Sequence, residues 1–409
     1  MGSKSFLRVA VIVLSLSAAG GAEEPEFIIS YWGGPPGAES TVERYREVAD
    51  CGFNIAMPPS NGADLKANLR ILDACKAVGI KAIIQDWRLD LKAGPKELER
   101  TLDAIMKDYA AHSALAGYMI TDEPNAGLFP AIATANQYLL KKDPRRLPFI
   151  NLFPNYATPD QLGSKSYEEH VSTYIETVKP KLVSWDHYLQ MKGNDSLYFQ
   201  NMDIVRSQCR KAKLPFIQII LSLPHWSYRN PTEADLRWQV FTSVAYGAKG
   251  VMYFTYWVLP EWKLGDGPAI MKPDGTRDAK YEMVRRINRR LKALGPTLMK
   301  LESTGVYGTD PLPPGMRGLA GEAPVIRAEG GPMVIGVFRN SGNDRYVMVV
   351  NRSFTDKLAA RLTLDPTTVS ASEISQESGK PLEAAPLAAN VLEVTLEAGE
   401  GKLYRLNLK

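Results

Sequence analysis

The chain has 409 residues, 45% of them hydrophobic and 23% charged, with a net charge of +4 and no long basic block. That balance supports a large folded core and excludes a disordered chain and nucleic acid as a partner. Three cysteines are too few for a disulfide framework, and no cysteine–histidine cluster has ligand spacing, so neither a metal nor a cofactor is implied.

The N-terminus reads as a secretory signal over residues 1–22. Lys4 and Arg8 supply positive charge, Val9 to Ala19 a short apolar core, and Gly20-Gly21-Ala22 small residues for cleavage. A secreted or periplasmic destination is expected, with no membrane span in the mature chain, since no later segment is long and apolar enough.

From Phe27 onward, strand-length apolar segments alternate with amphipathic, helix-length stretches, the rhythm of β/α units around a parallel sheet. The expected strands are Phe27–Trp32, Phe53–Met57, Lys81–Gln85, Ala116–Thr121, Phe149–Phe153, Leu182–Trp185, Phe216–Leu221 and Val251–Tyr256. The helices between them are Thr41–Cys51, Ala63–Val78, Lys96–Ala111, Pro130–Lys141, Ser166–Val178, Ser196–Lys211 and Glu233–Tyr246, with Ala279–Leu294 as the eighth. Eight such pairs predict a (β/α)8 TIM barrel over residues 23–300. An open doubly wound sheet is the rival, but Trp32-Gly33-Gly34-Pro35-Pro36 lacks its phosphate turn. Cys51 and Cys75 fall on neighbouring helices, close enough for one bridge, although buried free thiols are the expected state.

After Lys300 helical periodicity stops. Runs such as Val325–Ala328, Met333–Phe338, Tyr346–Asn351, Ala359–Leu364, Val391–Leu396 and Lys402–Leu408, separated by turn residues, predict a small antiparallel β-sandwich over 301–409.

Strand tips at the C-terminal end of a barrel line its active site. The most telling is Ala116-Gly117-Tyr118-Met119-Ile120-Thr121-Asp122-Glu123-Pro124-Asn125, an apolar run closed by two acids and a proline that cannot extend the ladder. A fixed carboxyl at such a mouth suits glycosidic bond cleavage, which normally uses two. Glu123 is the candidate acid. Asp186, at the sixth tip, is the first candidate for its partner; Asp86 and Glu261 are weaker ones. Strands four and six put their tips roughly 10 Å apart before side chains reach inward. Strict alternation would turn Asp122 away from the site, in an orienting role. Trp32, Asp86, Trp87, Asn151, His187, Tyr188, His225, Trp226, Tyr256 and Trp257 collect at the other tips. Such aromatic rings can stack on sugar faces while polar groups hold hydroxyls, so the expected partner is a carbohydrate.

Thr121-Asp122-Glu123-Pro124 resembles the Asn-Glu-Pro that ends strand four in TIM-barrel glycoside hydrolases of the β-galactosidase-like clan. Ala245-Tyr246-Gly247-Ala248-Lys249-Gly250-Val251-Met252-Tyr253-Phe254-Thr255-Tyr256-Trp257 resembles the approach to their eighth strand. The resemblance implies that Glu123 is the acid/base and that Trp257 floors the sugar site. Two departures stand out. Asp122 replaces the family's asparagine, and Gln218-Ile219-Ile220-Leu221-Ser222-Leu223-Pro224-His225 carries no strand-seven nucleophile. The chain reads as a divergent glycoside hydrolase of poly- or oligosaccharides. The alternative is a non-catalytic glycan-binding protein on a degenerate barrel.

Overall fold

The computed structural model describes residues 26–59, 63–188, 197–258, 262–265 and 267–409. Residues 1–22 and Glu261 lie outside them, so the leader and one of the candidate acids have no structural account.

Eight parallel strands form the barrel: β1 (Ile28–Tyr31), β2 (Ile55–Ala56), β3 (Lys81–Ile84), β4 (Leu115–Asp122), β5 (Leu147–Leu152), β6 (Val183–Asp186), β7 (Phe216–Leu221) and β8 (Gly250–Phe254). The helices are α1 (Val42–Asp50), α2 (Leu65–Val78), α3 (Pro95–Tyr109), α4 (Phe129–Lys142), a short α5 (Pro159–Leu162), α6 (Tyr167–Val178), α7 (Tyr198–Ala212), α8 (Glu233–Tyr246) and α9 (Ala279–Leu298). Local chemistry sets their ends. Thr41, Asp64 and Ser166 accept hydrogen bonds from first-turn amides, and Thr232 with Asp235 forms a full capping box. Left-handed Gly79 and Gly247 stop α2 and α8.

The ladder runs β1-β8-β7-β6-β5-β4-β3-β2. Asn54 stitches the seam between its two ends. Its backbone amide donates to Ile29 O at 3.1 Å, its Oδ1 accepts from Ile29 N at 2.8 Å, and its Nδ2 donates to Phe27 O at 2.9 Å. One asparagine thus substitutes for the ladder that two residues of β2 are too short to supply. The strands are buried on both faces, which is why they read as continuous apolar runs.

The C-terminal region is a β-sandwich. One sheet has the order β10 (Val325–Glu329), β13 (Leu358–Leu364), β16 (Val391–Leu396). The other runs β15 (Ala385–Pro386), β14 (Thr368–Glu373), β17 (Gly401–Leu408), β12 (Arg345–Asn351), β11 (Met333–Arg339), β9 (Glu302–Gly308). The sequence reading misses β9, β14 and β15: β9 contains two glycines, β14 is mostly Ser, Thr and other small or polar residues, and β15 has two residues. The six-stranded sheet packs on α8, eleven of whose fourteen residues are buried. A helix enclosed all round cannot show a single apolar stripe.

All three cysteines are buried free thiols. Among the described residues no helix is long and apolar enough to cross a membrane, and no group of side chains has the make-up of a metal site.

Candidate active site

Asn151, at the end of β5, is the hub. Its Nδ2 donates to Asp122 Oδ1 at 3.1 Å and to Asp186 Oδ1 at 2.9 Å, while its Oδ1 accepts from Ser184 Oγ at 3.0 Å. The Ser184 contact fixes the amide's orientation, so the donor end must face the two acids. Glu123 N donates to Asn151 O at 2.9 Å, which pins the end of β4 to β5. The Glu123 carboxyl lies within hydrogen-bonding reach of Asp186. Three acids from strands four and six therefore meet around one amide from strand five. The gap between the strand tips is closed by side chains.

A bulge in β4 sets which acid faces outward. The register with β5 slips between Met119 and Thr121, so Ile120 is the extra residue. The slip reverses the alternation beyond it. Met119 and Asp122 both line the same cavity, contrary to the strict alternation expected from the sequence. Glu123 follows with a left-handed backbone, φ 44°, a conformation a non-glycine residue rarely adopts and which is concentrated at functional sites.

Burial is the first cause of the raised pKa at each acid. For Glu123 the negative charges of Asp186 and Asp122 add to it, and for Asp186 that of Asp122 does; hydrogen bonds from Asn151 partly offset the rise at Asp122 and Asp186. Asp122 is enclosed by protein, yet its surface is exposed to the cavity. Water there can solvate its carboxylate, whereas Asp186 is sealed. The cluster holds at least one proton at a pH where isolated carboxyls have none.

The cavity has a volume of about 250 Å³, just below the usual range of about 300–1,000 Å³ for ligand sites. Trp32 after β1, Met57 to Pro59 after β2, Gln85 after β3, and Met119 and Asp122 on β4 form its lining with Phe254 and Trp262. Phe254 lies between Tyr188 (5.5 Å, 25° between planes) and Trp262 (6.0 Å, 8°). Together they make an aromatic wall. His225 packs on Phe254 at 5.5 Å and on Tyr228 at 4.8 Å, and the Tyr156 hydroxyl lies 3.5 Å from that of Tyr228.

Several expected site residues are elsewhere. Tyr256 and Trp257 are buried. Tyr256 stacks on Tyr31 at 4.8 Å, and Trp257 lies beneath Arg44 at 5.3 Å. The aromatic that β8 presents is Phe254, because the strand ends two residues earlier than its apolar run, where the Thr255 hydroxyl bonds Trp32 O. Asp86 is a structural anchor. It accepts from Arg88 Nε and Nη2 at 2.8 Å each and from Tyr109 OH at 2.6 Å. Burial alone would lift its pKa, but these donors hold it below the ordinary value; Gln85, one position earlier, lines the cavity. His187 pairs Nδ1 with Asn201 Oδ1 at 3.0 Å, and burial lowers its pKa to about 4. His225 pairs Nδ1 with Leu223 O at 3.1 Å, with a pKa also lowered by burial. Both imidazoles are neutral. Trp87 and Trp226 stand out in solvent.

Phe254, Trp262, Gln85 and Tyr156 are the site residues that the sequence reading left out of its candidate set. Gln85 and Phe254 both had a signal, since each lies within one or two residues of a candidate that was chosen.

Neither a protein-family model nor a curated protein matches the chain. Solved structures do match. The fold is that of known glycoside hydrolases. A glycoside hydrolase family 5 structure from Bacteroides vulgatus aligns with TM-score 0.61 at 13% identity, covering 99% of this chain and 95% of that one. A β-galactosidase from Bacillus circulans sp. alkalophilus aligns with TM-score 0.60 at 10% identity, covering 93% and 99%. A β-galactosidase from the psychrophilic Marinomonas ef1 aligns with TM-score 0.50 at 11% identity over 67% of this chain, which spans only 61% of that protein.

Proposed function

We propose that the chain is a glycoside hydrolase that cleaves O-glycosidic bonds of an oligo- or polysaccharide by carboxyl acid/base catalysis. The observation that carries the reading is the three-acid cluster on Asn151, beside a cavity walled by stacked aromatics. The solved glycoside hydrolases of like fold support it.

Breaking a glycosidic bond requires a proton on the leaving oxygen and negative charge near the positive sugar carbon that develops. Glu123, kept protonated by burial and by its acidic neighbours, is the donor. Asp122, facing the cavity, is the anion nearest the sugar: it steadies the positive carbon and takes a proton from the water whose oxygen bonds to that carbon. Asp186, sealed behind them, holds the Glu123 proton in place; in this reading it is a positioning group rather than the base or nucleophile that the strand-six position suggests. Trp32, Phe254 and Trp262, which line the cavity, supply the stacking wall, with Tyr188 backing Phe254, and Gln85 is a hydroxyl partner.

Glu123→Gln keeps the shape and removes the transferable proton. Turnover on any glycan the wild type cleaves is expected to fall by about 10²–10⁴-fold, the usual contribution of a general acid. Unchanged turnover would refute the assignment. The second reading, glycan binding without cleavage, is favoured by β7, which carries no carboxylate and is followed by Ser222, whose hydroxyl donates to Thr255 O at 3.2 Å. It predicts binding with no turnover in the wild type.

We further propose export, from the charged and apolar pattern of residues 1–22. N-terminal sequencing of protein recovered outside the cytoplasm is expected to start near Glu23.

A further inference from the structure

The exposed large hydrophobic residues among those described are nine, and only three are aromatic: Trp87 (67% exposed), Tyr156 (43%) and Trp226 (79%). All three lie on one face. Trp87 follows β3, Tyr156 follows β5 and Trp226 follows β7, so each sits in a loop at the C-terminal mouth. The opposite end of the barrel and the whole sandwich present none. An indole left in water forgoes the burial that makes it an interior residue elsewhere in this chain, as at Trp185 and Trp238. Two such rings on one rim mark a surface kept for a ligand.

Their placement gives the ligand's shape. In the ladder order, β3 and β7 are four strands apart whichever way round the barrel is counted. They are diametrically opposed. Eight strands spaced about 4.8 Å apart and tilted by about 36° enclose a ring about 15 Å across. A single sugar ring cannot reach from one tryptophan to the other, and the shortest path between them crosses the mouth alongside strands four to six, which carry the acids. Tyr156 stands on that path's strand-five side, its hydroxyl 3.5 Å from that of Tyr228.

The backbone supports the same conclusion at one end. Trp226 has φ 48°, left-handed and rarely taken by an aromatic residue. The turn is fixed by the bridge between His225 and Tyr228, with Tyr228 N donating to His225 O at 2.8 Å. A side chain held outward in an unfavourable conformation points to a functional constraint.

We infer that the mouth binds an extended glycan laid across it. Trp87 and Trp226 are the outer stacking platforms at opposite ends, and the cavity receives one ring between them. This rests on the proposed hydrolase reading and deepens it: the substrate is a chain bound on both sides of the bond to be cut, not a disaccharide held at one terminus.

The test uses the full chain carrying Glu123→Gln, so that binding is read without turnover. Cello-, xylo-, manno- and galacto-oligosaccharides from disaccharide to octasaccharide are titrated calorimetrically. Affinity for at least one series is expected to climb with length until both platforms are covered. Trp87→Ala and Trp226→Ala should each lower affinity for its longest member by roughly 3- to 10-fold, and the pair together should abolish the gain with length. Trp87→Phe and Trp226→Phe, which keep a flat face, should restore most of it. Affinity independent of length, failure of any series to bind, or tryptophan variants that bind long chains as before would each overturn the proposal. Length-dependent binding on both platforms by a wild type that cleaves nothing would uphold the span and refute the hydrolase. Cleavage lost in Glu123→Gln with length-independent binding would do the reverse.

Discussion

At the scale of single residues, the site stores charge that the fold would be more stable without. Asp186 is sealed, accepts from Asn151 at 2.9 Å and lies against Glu123, and both carboxyls have pKa values raised above those of an unfolded chain. A carboxyl raised in this way binds its proton more tightly when folded. Its contribution to stability is complete below the unfolded pKa and is lost as pH climbs through the folded one. Stability is therefore expected to decline from mildly acidic towards alkaline pH, as followed by thermal unfolding across a buffer series. Asp186→Asn keeps the size and an acceptor while removing the charge. It should raise stability at neutral pH by on the order of 1 kcal/mol and flatten the decline. With that repulsion gone, the Glu123 pKa falls, so the alkaline limb of the activity profile should move to lower pH and neutral turnover should drop. A variant that gains stability and loses rate together would show Asp186 as a positioning acid. If turnover and its pH profile stayed put, Asp186 would have no such role.

At the scale of elements, what the sequence revealed depended on periodicity. β7 and α8 have the predicted bounds, because an apolar run broken only by Gln218 and a capping box with a glycine stop are local signals. The mouth was legible as a region, and Asp122, Glu123, Asn151 and Asp186 do meet there. Which acid faces the cavity was not, since the bulge at Ile120 is a matter of pairing with β5 that no pattern within β4 records. The end of β8 was misread for a similar reason: Tyr256 and Trp257 continue the apolar run but are taken up by Tyr31 and Arg44, far away in sequence. The barrel's seam is another long-range feature, resting on Asn54 instead of a full strand pair. Asn54→Ala would leave Ile29 N and Phe27 O without partners at the closure. A loss of about 1–3 kcal/mol is expected, the cost of partly buried unpaired backbone groups, readable as a lower denaturant midpoint with an unchanged slope. A loss within error would mean that the seam is held by strand packing alone.

At the scale of the whole molecule, α8 makes contacts to both halves, which predicts that they unfold as one cooperative unit. Its Gln239 reaches β7, with Oε1 accepting from Leu221 N at 2.8 Å and Nε2 donating to Leu221 O at 3.0 Å. On the side facing the sandwich, Trp238 packs on Phe354 at 5.4 Å, and Arg237 Nη2 donates to Ala398 O at 2.7 Å. Arg290 to Glu400 at 3.1 Å and Arg206 to Ser303 at 2.9 Å tie other helices to the same region. The contact is close at Gly336 of β11, where an added Cβ would stand 2.3 Å from Ala245 O. That backbone oxygen cannot move without displacing α8, and with it the strand that runs beneath. Gly336→Val should therefore cost about 1–3 kcal/mol by overpacking, and it should do so for the barrel as well as the sandwich. In calorimetry, wild type and variant are each expected to unfold in a single transition whose calorimetric and van't Hoff enthalpies agree, with the variant's midpoint lower. Two separated transitions in the variant, with the barrel's unmoved, would show that the halves fold independently and that α8 belongs to the barrel alone.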